Sequence, residues 1–222
     1  NALESAGVDA EEVDLVVLAT SSPDDLFGDA ASVAARVGAH TAAAFDLTAA
    51  CSGFLFAVVT ASQFLESSEY DTILVIGADA LSRWVDWSDR NTCILFGDGA
   101  GAVVMTKSND EDGEEKKRGV LGYRLRSNGK DYEYLKLGYD GASRTIDTPQ
   151  QNTLTKGSYS SVTMDGRQVY KFATRAVPLV IAHALQNAGI PASDVDWLML
   201  PQANKRIKET VADRLGLSHD KI

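Results

Sequence analysis

Cys51 lies in Ala49-Ala50-Cys51-Ser52-Gly53-Phe54, where an apolar strand-like run gives way to a helix-like run. A thiol in that setting is placed like a nucleophile. Small neighbours let a carbonyl carbon approach the sulfur. The helix N-terminus behind it offers unpaired N–H groups and the positive end of a dipole, both of which favour thiolate. The competing reading is a buried structural cysteine, because free cysteine packs as a small hydrophobe. The local sequence leaves both open. The second thiol, Cys93, lies in the apolar run Cys93-Ile94-Leu95-Phe96 and reads as a packing residue. Metal chemistry is disfavoured, because there is no Cys-x-x-Cys and the three histidines (His40, His183, His219) are scattered. Two cysteines make no disulfide framework, which points to a reducing compartment.

The elements that must position Cys51 can be read from apolar patterning. Runs at 13–20, 43–48, 72–77 and 195–200 read as strands buried on both faces. Helical periodicity covers 30–37, 53–66, 169–188 and 205–215. The alternation predicts an α/β fold with helices packed on a mostly parallel sheet. Gly97-Asp98-Gly99-Ala100-Gly101 precedes an apolar run at 102–106. No Gly-x-Gly-x-x-Gly opens a helix there and no Walker lysine follows, so a tight turn or close backbone approach is expected rather than a nucleotide loop. The charged stretch 108–118 reads as a solvated hairpin or loop. Residues 128–161 read as a long polar excursion from the sheet, irregular between 141 and 158, of a length that is usually functional or mobile.

The 222 residues carry a net charge of -10, with 45% hydrophobic residues. That acidity argues against generic nucleic-acid binding. No apolar run reaches the ~18 residues of a membrane span. The chain starts on Asn1 inside a helical pattern and ends, at 217–222, on a turn that leads toward a strand. Both ends are therefore expected to be cut.

An internal repeat is the strongest long-range signal. Residues 2–22 (ALESAGVDAEEVDLVVLATSS) align without a gap onto residues 184–204 (ALQNAGIPASDVDWLMLPQAN), at an offset of 182 with eight identities. Each copy reads as helix end, glycine cap, short loop and buried strand. Duplication predicts two α/β halves whose strand ends converge on one cleft. Residues just past the strand of the second copy, Pro201-Gln202-Ala203-Asn204, would then face Cys51. A base or donor is wanted there, preferably histidine. The chain has Pro201.

The segments Asp46-Leu47-Thr48-Ala49-Ala50-Cys51-Ser52-Gly53-Phe54, Ile76-Gly77-Ala78-Asp79, Asp89-Arg90, Phe96-Gly97-Asp98-Gly99-Ala100-Gly101 and Gln202-Ala203-Asn204 carry a resemblance over nearly the whole chain. In order and spacing they resemble the β-ketoacyl-acyl-carrier-protein synthase III family, which initiates type II fatty acid synthesis. Leu81-Ser82-Arg83-Trp84-Val85-Asp86-Trp87 is most similar to its plastid and cyanobacterial members. The resemblance implies a thiolase-like fold: duplicated α/β halves with layered, mostly parallel or mixed sheets and helices, incomplete at both termini. It divides the chain into an N-terminal half, 1–163, with a hairpin and excursion at 107–161, and the start of a C-terminal half, 164–222.

The resemblance also implies a decarboxylative Claisen condensation. Cys51 would take an acetyl group from acetyl-coenzyme A, and malonyl-acyl carrier protein would lose carbon dioxide to give the attacking carbanion. The coenzyme A thioester is a substrate, and no resident cofactor or metal is implied. Family members supply enolate donors from a histidine and an asparagine. Pro201 stands at the histidine position, and the asparagine segment and a glycine-rich oxyanion strand lie past Ile222. Proline has no side-chain donor. Losing one such donor costs about 10²–10³ in rate, so the chain is expected to be impaired in condensation.

Further roles carry over by position. Arg90 corresponds to a contact of the coenzyme A nucleotide, Asn204 and Arg206 to pantetheine and phosphate contacts, and Gly166 to the tunnel wall. Phe27 corresponds to a homodimer-interface residue that lines the partner's acyl pocket, and Tyr170 to a position near the tunnel. Lys205, Arg206, Lys208 and Arg214 make one basic helix face that, with Gln202, Ala203 and Asn204, is expected to dock the acidic carrier protein. A plain surface or packing role is the alternative for each. Two other functions stay open beside the synthase: a regulatory subunit that keeps the fold without the chemistry, and an acyltransferase that uses Cys51 without decarboxylation. The expected location is the bacterial cytoplasm or the plastid stroma.

Overall fold

A computed structural model describes residues 2–67, 69–107, 118–141 and 157–222. The first three apolar runs and the run at 102–106 become a four-stranded sheet. Strand β1 (Leu15–Ala19) is parallel to β2 (Ala43–Leu47) on one side and to β3 (Thr72–Ala80) on the other. Strand β4 (Asp98–Thr106) closes the order β2-β1-β3-β4, antiparallel to β3. All five residues of β1 are buried because helices cover both faces of the sheet. On one face α3 (Gly53–Leu65) packs Ala57 and Ala61 against Leu15, Val17, Ile73 and Val75. On the other, α1 (Ala2–Ala6) and α2 (Ala30–Val37) bring Leu3 and Ala34 against Val16 and Leu74.

Two ribbons of two-residue strands build the excursion. The first pairs β5 (Leu135–Lys136) with β8 (Thr163–Met164), and the second pairs β6 (Tyr139–Asp140) with β7 (Ser158–Tyr159). The expected loop at 108–117 and the irregular part at 142–156 lie outside the described residues. Helix α4 (Gly166–Ala188) follows, and α5 (Lys205–Leu215) packs on it through a separate core of Leu198, Val211, Ala212 and Leu217.

The repeat recurs in the backbone. Gly7 and Gly189 both take the left-handed conformation, at φ 65° and 68°. Four hydrogen bonds are the same at an offset of 182. In the first copy the N–H groups of Gly7, Val8, Glu12 and Val13 donate to the carbonyls of Glu4, Leu3, Asp9 and Ala10. In the second, those of Gly189, Ile190, Asp194 and Val195 donate to Gln186, Leu185, Pro191 and Ala192.

Two expectations need correction. Residues 195–200 form no β-ladder, although their apolar pattern matches β1. Apolar residues alone do not make a strand, which needs a hydrogen-bonding neighbour, and of residues 195–200 only Leu198 is buried. The Leu198 N–H donates instead to the Lys221 carbonyl at 2.8 Å. The Gly97–101 stretch is neither a tight turn nor a close approach. Gly99 and Gly101 lie inside β4, opposite Asp79 and Gly77, with open space where a Cβ would be.

Candidate active site

The sheet delivers Cys51 to the surface at its C-terminal edge. β2 ends at Leu47, a 3-10 turn spans Ala50–Ser52, and α3 begins at Gly53. Close packing fixes where α3 starts. A Cβ on Gly53 would meet the Ala19 Cβ at 3.4 Å, and one on Gly77 would meet the Phe54 ring at 3.1 Å. Ala19 and Gly77 are register partners in the β1–β3 ladder, so the N-terminus of α3 sits directly over that pair. The turn is strained. Ala50, at φ 48°, is the one non-glycine residue with positive φ among the described residues. An L-residue there costs ~1–2 kcal/mol. Held strain of this kind clusters at functional sites. Cys51, the next residue, is exposed. That removes the buried-structural reading. Cys93, by contrast, is partly buried in the 91–95 turn.

Cys51 opens on a cavity of ≈ 260 Å³. Its walls are mostly apolar and come from separate segments: Leu26 from the loop after β1, Leu81 and Trp84 from the 3-10 turn after β3, Phe96 before β4, and Leu137, Tyr159 and Val162 from the excursion. Aromatic packing holds the excursion in place. Tyr159 meets Trp84 edge-on at 6.0 Å and Tyr139 at 5.2 Å between ring centroids. The Val162 N–H donates to the Trp84 carbonyl at 2.9 Å. Two charged side chains line the cavity, Asp79 and Lys136. Lys136 is paired with Glu133, which raises the ammonium pKa and lowers that of the carboxylate, while the Tyr132 hydroxyl bond to Glu133 lowers it further.

The sequence-predicted residues divide by location. Pro201, Gln202, Ala203 and Asn204 are exposed and do not line the cavity. The Asn204 side chain caps α5, accepting the Arg206 N–H at 2.9 Å. Within the basic helix face, Arg206 is exposed, Lys208 is half-buried, and Lys205 pairs with Glu209 at 3.5 Å. Arg214 instead donates to the Thr174 carbonyl of α4 at 2.8 Å. Arg90 is exposed on a turn tied by two carboxylates. Asp86 accepts from Ser88, and Asp89 accepts from the Asn91 N–H and from Thr92 Oγ1. These hydrogen bonds lower both carboxyl pKa values. Phe27 is fully exposed at 101%, beside Leu26. Tyr170 reaches Thr210 Oγ1 at 3.3 Å between α4 and α5, and Gly166 starts α4; neither lines the cavity. His40, His183 and His219 are all exposed, and His219 pairs with Asp213 at 2.8 Å.

Sequence reading missed the cavity walls, because Leu26, Trp84, Leu137 and Val162 come together only through the topology. Among the described residues, no group of three or more His, Cys, Asp or Glu is arranged to hold a metal ion, and no helix is long and apolar enough to cross a membrane.

Known proteins are similar to this chain in sequence and in backbone fold. A family model described as 3-oxoacyl-(acyl-carrier-protein) synthase III matches residues 45–129, and the C-terminal model of the same family matches residues 185–222. The β-ketoacyl-(acyl-carrier-protein) synthase III of Synechococcus elongatus is 51% identical over 222 residues, covering 100% of this chain and 64% of that protein. The enzyme of the same name from Porphyra umbilicalis is 47% identical over 224 residues, covering 100% of this chain and 65% of its own length. Among solved structures, the 3-oxoacyl-(acyl-carrier-protein) synthase III of Aquifex aeolicus superposes with a TM-score of 0.83 at 37% identity, over 99% of this chain and 63% of that one. The chain thus spans 64% of the length of the Synechococcus relative.

Proposed function

Because this chain belongs to the 3-oxoacyl-(acyl-carrier-protein) synthase III family, with its thiolase-like α/β fold, we propose that Cys51 carries an acetyl group in a decarboxylative condensation. The observation that supports this most is the exposed Cys51 thiol, held one residue after the strained Ala50 and opening on an apolar cavity. In this reading the Cys51 thiolate attacks the carbonyl of acetyl-coenzyme A, and coenzyme A leaves as its thiolate. Malonyl on acyl carrier protein then loses carbon dioxide. The electron pair left behind forms the new carbon–carbon bond at the thioester carbonyl, and Cys51 departs as thiolate.

The partners follow the same reading. Arg90, on its braced turn, Asn204 and Arg206 serve the coenzyme, while Gly166 and Tyr170 belong to the tunnel region. The exposed Phe27 fits a homodimer contact. Carrier docking rests on Lys205, Arg206, Lys208 and Arg214 beside Gln202, Ala203 and Asn204, with Arg214 also donating to the Thr174 carbonyl of α4. No resident cofactor or metal is required. The division into halves at 163/164 and a cytoplasmic or plastid-stroma location belong to the same proposal.

Pro201 favours a second reading: acyl transfer through Cys51 without decarboxylation. A proline side chain offers no hydrogen bond to an enolate oxygen. Incubation with acetyl-coenzyme A and peptide mass spectrometry separates the outcomes. An acetyl adduct at Cys51, lost in C51A, supports the thioester; folded protein with no adduct overturns it. In the full-length protein, condensation with malonyl-carrier protein is expected to rise by about 10²-fold in P201H, the gain of one enolate donor. No gain overturns the assignment of position 201 and leaves transfer alone as the activity.

A further inference from the structure

Ser22 is 7% exposed and joins two segments far apart in sequence. Its hydroxyl donates to Asp79 Oδ1 at 3.1 Å and accepts the Ala80 N–H at 2.7 Å. The same Asp79 oxygen accepts the Ser21 N–H at 2.7 Å. Among the described residues the other buried polar side chains, Thr92 and Thr174, bond within their own turn or helix. The Ser22 contact therefore acts as a clasp between the C-terminal ends of β1 and β3.

The clasp sits at the root of a cavity wall. Ser21, Leu26 and Asp79 all line the cavity that contains Cys51. The segment from Ser21 to Gly28 is fastened at two further points. Arg83 pairs with Asp24 at 2.5 Å. At its far end, Asp46 accepts the N–H groups of Asp29 and Ala30 at 3.0 and 2.7 Å, and Gly28 passes so close to Asp46 that a Cβ would lie 3.1 Å from Oδ1. Asp46, a β2 residue, places its carboxylate at the N-terminus of α2, where negative charge is favoured. The far end is thus a helix-capping contact away from the cavity, whereas Asp79 places a carboxylate in the cavity wall itself.

We propose that Asp79, through Ser21 and Ser22, is a positioning residue that sets the size limit for groups reaching Cys51. It holds the wall that carries Leu26 by charge-assisted hydrogen bonds to one backbone N–H and one hydroxyl. The inference rests on Cys51 as the acyl-carrying thiol for its meaning in acyl selection, but the size limit itself is measurable on the thiol.

The test uses two maleimides of one chemistry, N-methylmaleimide and N-cyclohexylmaleimide, with modification read on the Cys51 peptide by mass spectrometry. The ratio of their rate constants reports the size limit. D79A, which removes both charge-assisted hydrogen bonds, is expected to lower that ratio by about tenfold or more. S22A is expected to lower it in the same direction, and D79N, which keeps an acceptor oxygen, to restore it to within about twofold of the parent. A residue that only supports the fold would lower the melting temperature and leave the ratio unchanged. An unchanged ratio in folded D79A, or in folded S22A if D79A does not fold, overturns the proposal. A parallel arm compares acetyl- and hexanoyl-coenzyme A as donors. If the parent protein accepts neither, the acyl reading fails while the maleimide ratio still decides the clasp.

Discussion

In residues 2–22 the chain leaves α1 through a left-handed Gly7, makes a 3-10 turn and enters β1, which lies between two neighbours with every residue buried. In residues 184–204 it leaves α4 through a left-handed Gly189, makes the same turn with the same four hydrogen bonds, and enters an extended segment that joins no ladder. There Trp197 and Met199 are 71% and 92% exposed. The turn is thus encoded locally and survives in both settings, while the ladder depends on what lies alongside. The two copies also part at their ends. Pro201 matches Ala19, the last residue of β1, and cannot donate a backbone hydrogen bond. Asn204 matches Ser22; one caps a helix, the other clasps two strands.

The largest contrast is expected from one buried charge placed in each copy. V17D puts an unpaired carboxylate where the side chain is 0% exposed, and should cost about 4 kcal/mol or more in urea unfolding. M199D, at the matched position 17 + 182, should stay within about 0.5 kcal/mol. Similar costs at both would break the contrast. Next in size are the matched polar residues. S22A strands the Ala80 N–H and should cost about 2 kcal/mol, against about 1 kcal/mol for N204A, which removes a helix cap.

The glycine pair tests the shared part. A Cβ on Gly7 or Gly189 meets nothing within 4 Å, so G7A and G189A carry only the conformational penalty, about 1 kcal/mol each. A difference well above 0.5 kcal/mol, by the standards of independent sites, would mean the two turns are not equivalent. The smallest effect lies outside the repeats. Asp86 and Asp89 have folded pKa values lowered from 3.8, chiefly by hydrogen bonds from Ser88 and Asn91. A lowered carboxylate stabilises above its unfolded pKa, and that contribution fades as pH falls through the folded value. Melting curves of a D86N/D89N variant should therefore differ from the parent at neutral pH and converge toward it in acid.

Much of this was legible in the chain. Ala30–Val37 and Lys205–Leu215 have the bounds that helical periodicity gives, because a capped amphipathic helix announces itself within a few residues. Small residues around Cys51 marked the turn, since only small side chains let α3 begin over Ala19 and Gly77. What was not legible depends on distant partners. The stretch 97–101 reads as a turn because its glycines hide the first residues of β4, whose pairing is supplied by β3. The 195–200 run reads as a strand because its residue types repeat the apolar run of β1. Arg214 read as part of a surface patch, and only the packing of α5 on α4 turns it to the Thr174 carbonyl. The clasp between Ser22 and Asp79 bridges 57 residues, and no local pattern announces it.

The order β2-β1-β3-β4 leaves β4 at one margin of the sheet, with its first six residues exposed. Among the described residues no strand pairs with the outer edge of β4, and such an edge is a template on which another molecule can add a strand, the opening step of fibrillar or amorphous deposit. The chain's net charge of -10 is then a colloidal safeguard, keeping molecules apart in dilute buffer. Its reach shrinks to roughly 3 Å at 1 M salt. Salting-out conditions would therefore concentrate this protein by its exposed margin first, and turbidity should rise with ionic strength before the fold itself gives way.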